Sequence, residues 1–294
     1  MEIEVRKEPN PSIARVIIAG EWEGELREAR QLLEDIYENW PKSRKVKFII
    51  TCGGFIQFNW PGSISPKDIG DNKYPNDKVV DRLVAIAEEH VNSILNKDLC
   101  RKLSEVTDYI TLGIDSFKEE ISTTQNYINQ PHIELVFLKD LRQDKLYWTG
   151  KSYPTPAQEN SLVRIANLET HFINLDVGKV MILGCHDLSI FNPRSQNAKG
   201  WRRNVNEDFK KLAKKEKPLY ALHHPHTTVK RRTWLNAWSG LRKTLPSVKQ
   251  YAGAGRYYES NRERSEWDTL DKVLKDTKNT ATIDFVIWRK QEVI

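Results

Sequence analysis

Apolar positions along the chain alternate between two periods, and each period predicts its own element. Ala14–Ala19 and Val46–Thr51 are short apolar runs that predict strands, the second ended by Gly53-Gly54. Between them Leu26, Ala29, Leu32, Leu33 and Ile36 fall on one side of a helix over Glu25–Glu38. Val79, Leu83, Ala87 and Val91 give a second helix over Lys78–Leu95, and Asp108–Leu112 a strand ended by Gly113. Two hairpins follow: Glu134–Leu138 with Leu146–Trp148, and His171–Leu175 with Lys179–Leu183 around Asp176-Val177-Gly178. A helix over Asn206–Lys215, a strand over Leu219–Leu222, a helix over Arg232–Thr244 and a strand over Val248–Ala252 come next. Ile283, Phe285 and Ile287 alternate with Thr282, Asp284 and Val286, as in a half-buried last strand. Strand–helix units outside and hairpins in the middle predict one mixed α/β domain over residues 1–294, with the charged stretch Glu259–Glu266 as a surface loop.

Composition narrows the class. Hydrophobic residues make up 39% and charged residues 29% of the 294, as in a water-soluble domain. The longest apolar runs are too short to cross a bilayer, and the first residues lack a secretory pattern. The expected location is the cytoplasm, with no membrane contact. Cys52, Cys100 and Cys185 are odd in number and far apart, so neither a disulfide framework nor a CxxC metal site is visible. The formal charge of +6 comes from local clusters, Lys199–Arg203, Lys210-Lys211, Lys214-Lys215 and Lys230–Arg232. Such clusters suit phosphate as well as a solvated helix face, so a nucleic-acid or partner contact through 199–203 and 230–232 stays open.

The chemistry starts at Cys185. Val180-Met181-Ile182-Leu183-Gly184-Cys185-His186-Asp187 is an apolar strand that delivers a thiol at its carboxyl end, where a nucleophile would sit. A buried, inert cysteine is the competing reading. The order of elements resembles the carbon–nitrogen hydrolase (nitrilase) superfamily. Lys145–Pro154 looks like that family's G-x-x-x-x-Y-x-K-x-H segment, which puts Lys151 at the catalytic lysine. Thirty-four residues later Gly178–Leu188 looks like its G-x-K-V-G-x-x-I-C-Y-D-L, with Cys185 at the nucleophile. The resemblance implies a four-layer αββα sandwich, an amide-like small-molecule substrate, no cofactor and a homo-oligomer. It also implies a supporting carboxylate that orients the lysine, for which Glu159 is the match.

One departure is plain. The family's general base follows the second strand, and Thr51-Cys52-Gly53-Gly54-Phe55 offers no acid. The chain is thus read as a divergent member lacking that Glu. It is either an altered thiol-dependent amidohydrolase or a ligand-binding protein that keeps the cleft. Cys52 and Phe55 are placed at the cleft, Phe55 with Phe58 and Trp60 as its floor. A histidine of His223-His224-Pro225-His226 is a candidate replacement base, and His186 a weaker one because sequence neighbours point apart. His224 and His226 are retained as binding residues, and no metal is expected on the cluster. Cys185, Lys151 and the loop after Thr51 are expected to converge. Simple amides should turn over slowly, and a substitute imidazole would lose activity on protonation below about pH 6.5.

Overall fold

A computed structural model describes residues 1–41, 45–65, 67–71, 73–116, 131–159, 161–227, 231–257 and 269–289, without the side chains of Ala157 and Arg231. The strands are β1 (Glu2–Lys7), β2 (Ile13–Ala19), β3 (Val46–Ile50), β4 (Ile56–Phe58), β5 (Thr107–Ser116), β6 (Glu134–Asp140), β7 (Lys145–Gly150), β8 (Phe172–Leu175), β9 (Gly178–Leu183), β10 (Tyr220–His223), β11 (Gln250–Gly253) and β12 (Thr282–Trp288). The helices are α1 (Leu26–Glu38), α2 (Asp77–Ile94), α3 (Lys97–Ser104), α4 (Gly200–Glu216), α5 (Arg231–Thr244) and α6 (Leu270–Asp276). One sheet runs β1-β12-β2-β3-β5-β6-β7, with β4 on β5; the other runs β11-β10-β9-β8.

Strand periodicity builds the layers. In β2, Ala14, Val16 and Ile18 face α1, α2 and α3, while Ile13 and Ile17 face the second sheet. In β9, Val180 and Ile182 meet the first sheet, while Met181 and Leu183 meet Phe209 of α4 and Trp238 of α5. The result is helices, sheet, sheet, helices: the four-layer αββα arrangement. Trp234 and Trp238 are core residues of the last layer. Among the described residues no helix is long and apolar enough to cross a membrane.

Three elements depart from the sequence pattern. β5 runs past Gly113 to Ser116, because β4 and β6 pair with its far end and shelter it. β12 is buried on both faces rather than half-buried, since β1 and β2 flank it and cores lie above and below. Its Asp284 accepts two bonds from the fully buried Arg15, both 2.7 Å, which joins β12 to β2 by charge as well as by the ladder. α4 begins at Gly200, a turn ahead of its apolar positions. The charged stretch 259–266 lies outside the described residues.

Candidate active site

A row of side chains across the first sheet makes one wall. β5 and β6 are antiparallel with Asp115 opposite Glu134. The β6–β7 hairpin pairs Leu135 with Gly150, and the Lys151 N–H donates to the Glu134 carbonyl at 2.9 Å. Asp115 on β5, Glu134 on β6 and Lys151 just past the end of β7 are therefore neighbours. Side chains at paired positions share a face, so register alone brings the three charges together.

Lys151 and Glu134 are both buried and form a closed ion pair. Lys151 Nζ donates to Glu134 Oε2 at 2.9 Å, to Oε1 at 3.0 Å and to Gln158 Oε1 at 2.7 Å. The Gln158 amide in turn donates to Glu134 Oε1 at 2.9 Å and lies 3.2 Å from His132 Nε2. Burial disfavours both charges, but each partner outweighs it. The Glu134 carboxyl is held well below its usual range, and the Lys151 ammonium is pushed up.

The second sheet supplies the thiol. Cys185 leaves the end of β9, and the neighbouring parallel strand β10 sends His223–His226 over it. The His226 backbone N–H donates to Cys185 Sγ at 3.4 Å. Its imidazole is hydrogen-bonded through Nε2 to Asp115 Oδ2, with Nδ1 3.8 Å from Glu134 Oε2. Burial resists charging, yet Asp115, Glu134 and Cys185 together raise the His226 pKa well above that of a free imidazole. For Cys185 burial works against the thiolate, but His226 and Lys151 overcome it and hold the thiol below its ordinary value. Both shifts favour a thiolate–imidazolium pair.

The loop after β3 carries no acid and leaves room for an imidazole. A Cβ on Gly53 would come within 3.3 Å of the His226 ring, and one on Gly54 within 3.1 Å of Asp115 Oδ2. Gly54 also has φ +62°, which L side chains seldom adopt. The imidazole thus occupies the space beside these two glycines. Gly53 N–H donates to the Pro225 carbonyl at 3.1 Å, and His224 Nδ1 bonds the Thr51 carbonyl at 2.7 Å, which fixes the loop against the histidine segment.

Other expected site residues lie elsewhere. Glu159 does not orient Lys151: it pairs with Arg202 at 3.0 Å, and Glu134 with Gln158 holds the lysine. Cys52 is fully buried in the core, its thiol pushed up to about 12 by burial, and Phe55 stacks on Trp22 at 5.4 Å instead of flooring a cleft. His223 and His224 are buried and pushed down to about 3 and 4, so both are neutral at pH 7. The three imidazoles of the cluster diverge, His223 to the Cys185 carbonyl at 2.8 Å, His224 to Thr51 and His226 to Asp115. Among the described residues no group of three His, Cys, Asp or Glu side chains is arranged to hold a metal ion. His186 is half-buried with its ring parallel to the Tyr153 ring at 6.1 Å, and Arg202 lies over Tyr153 at 4.6 Å. Arg202 is therefore turned inward from its basic cluster, while Arg203 pairs with Glu207. Lys230 lies outside the described residues.

Asp115, Glu134, His132 and Gln158 were not singled out by the sequence pattern. The signal for Glu134 is the hairpin itself, since a tight turn at Leu141–Asp144 fixes it opposite Lys151.

No family model matches the chain, and a search of curated proteins finds no match. Among solved structures it is similar to a cysteine-to-alanine variant of the Nesterenkonia AN1 amidase from the nitrilase superfamily. That pair shares 12% identity over 84% of this chain and 78% of the amidase, with a TM-score of 0.47. A double variant of the amidase in complex with acrylamide gives 12% identity, 85% and 78% coverage and 0.47. The crystal structure of an amidase from Nesterenkonia sp. gives 12%, 85%, 78% and 0.44.

Proposed function

We propose that the protein is a thiol-dependent amidohydrolase in which His226, held by Asp115, takes the place of the missing glutamate. The observation that carries this reading is the convergence of Cys185, the Asp115-bound His226 and the Glu134-bound Lys151 from two sheets. Cys185 is the nucleophile and is already biased towards thiolate. It attacks the amide carbonyl carbon while the C=O π pair moves onto oxygen. Lys151 Nζ and the His186 backbone N–H, which has no hydrogen-bond partner among the described residues, are the donors for that oxyanion. Collapse breaks the C–N bond, and the imidazolium of His226 gives its proton to the departing nitrogen. A thioester on Cys185 and a neutral imidazole remain. The imidazole then removes a proton from water, the hydroxide adds to the thioester, and a carboxylic acid leaves as the thiolate–imidazolium pair is restored.

The two carboxylates have separate duties in this scheme. Asp115 keeps the imidazole charged and oriented, as the third member of such a constellation does. Glu134 keeps Lys151 charged in a buried place. The site so read is rewired and not degenerate.

Chloroacetamide and short aliphatic amides test the proposal. In a short reaction near neutral pH, intact mass should show a fast carbamidomethyl group on wild type that is absent from Cys185→Ala, with Cys52 silent because it is buried and its thiol is weakly acidic, and the half-buried Cys100 slow because burial pushes its thiol up. Amide turnover should be present in wild type and lost in Cys185→Ala. A labelled Cys185 in a protein that turns over no amide would favour the ligand-binding reading of the same cleft.

A further inference from the structure

Lys151 and Cys185 belong to different sheets, so something must fix the gap between them. Asp187 is the group placed to do it. Its side chain is completely buried, two residues after the nucleophile. Oδ1 accepts the backbone N–H of Ser152 at 3.0 Å and of Tyr153 at 2.8 Å, the two residues that follow the lysine. Oδ2 accepts the N–H of Gly184, the residue before the thiol, at 3.0 Å. One carboxylate thus binds the segment after β7 and the turn after β9 at once. The fit leaves little slack: a Cβ on Gly184 would lie 3.0 Å from Asp187 Oδ2, 3.2 Å from Lys151 Cα and 3.3 Å from Lys151 N. Ser152 is held a second time, through Oγ, by His171 Nε2 at 2.8 Å and the Ile165 carbonyl at 2.6 Å.

We infer that Asp187 is a positioning residue that sets the distance between the Lys151 ammonium and the Cys185 sulfur by binding both backbone segments with one carboxylate. Its consequence for turnover rests on the function proposed above, but its consequence for the thiol does not. Asparagine at 187 keeps an acceptor for Ser152 and Tyr153 but turns an N–H₂ towards the Gly184 N–H, so the nucleophile side is released. The groups charged around the sulfur are His226, Lys151 and Glu134. Losing the negative charge of Asp187 would by itself favour the thiolate and lower the thiol pKa. Moving Lys151 away from the sulfur does the opposite.

The test is the pH dependence of Cys185 alkylation by iodoacetamide in Asp187→Asn and Gly184→Ala, beside kcat and KM on an amide. The expected result is a midpoint moved upward in both variants. With it, kcat should fall about a hundredfold, as for a displacement of the order of 1 Å, with KM little changed. A folded Asp187→Asn whose alkylation midpoint stays or falls would overturn the inference. Should that variant not fold, Gly184→Ala decides in the same way, because it strains the clamp with the carboxylate intact. An upward midpoint in a protein inactive on amides would leave the positioning role standing and remove the hydrolase reading instead.

Discussion

His226→Ala is expected to lower amide turnover by about 10²–10⁴-fold, the usual range for a positioned acid–base group. In the proposed mechanism the working form is thiolate with imidazolium, so the rate should rise as pH climbs through the pKa of Cys185, which His226 and Lys151 lower from a thiol's ordinary value. It then stays level until His226 loses its proton, above the ordinary imidazole value of about 6.5. A neutral, unpartnered imidazole would give the reverse, a loss on protonation below about pH 6.5. Here Asp115 and Glu134 face the ring and favour its charged form, so that loss is not the expected result. In His226→Ala the acid limb should move towards higher pH, since the cation beside the sulfur is gone. Asp115→Asn keeps a hydrogen-bond partner but not the charge, so it should draw the alkaline limb downward. A stopped-flow or discontinuous rate profile from pH 5 to 10 measures both limbs. An acid limb that does not move in His226→Ala would count against the ion pair.

Glu134→Ala should cost about 3–5 kcal/mol of stability, the range for breaking a buried pair and leaving one charge behind. Among the described residues the Lys151 ammonium then keeps one hydrogen-bond acceptor, Gln158 Oε1, and loses the nearest of the charges that offset its burial, leaving the more distant Cys185 and Asp187. A neutral amine is a poorer oxyanion donor than the ammonium, so activity falls with stability. The double variant Glu134→Ala/Lys151→Met removes both charges and should recover most of the loss in a urea titration, while activity stays absent. Single and double variants equally unstable would show that the cost was a cavity and not an orphaned cation. The pair also predicts an acid response. A carboxyl whose folded pKa is depressed contributes stability above its unfolded value near 4.3 and loses it as pH falls through the folded one. Stability should therefore drop on acidification below about pH 4, and less steeply in the double variant.

The layout of this protein was legible along its chain. Most strands and helices announce themselves by period, because a strand covered on both faces is an apolar run and a surface helix shows a stripe. The turn that presents Cys185 and the hairpin that ends in Lys151 are local features of the same kind. β1 (Glu2–Lys7) was not, since an edge strand with charged side chains has no apolar run to read. α3 and α6 were also hidden, being only two turns long. The identity of the charge partners needed the fold. Glu159 stands eight residues from Lys151 and looked like its partner, but the chain turns it to Arg202, while Glu134, seventeen residues before, arrives through hairpin register. Asp115 and His226 are 111 residues apart and meet only because two sheets pack face to face. Sequence by itself decides which residues are apolar, which turn is tight and where a thiol ends a strand, because those depend on neighbours along the chain. Which carboxylate neutralises which cation depends on register and sheet packing, because those partners lie far apart along the chain and meet only in the folded sheets.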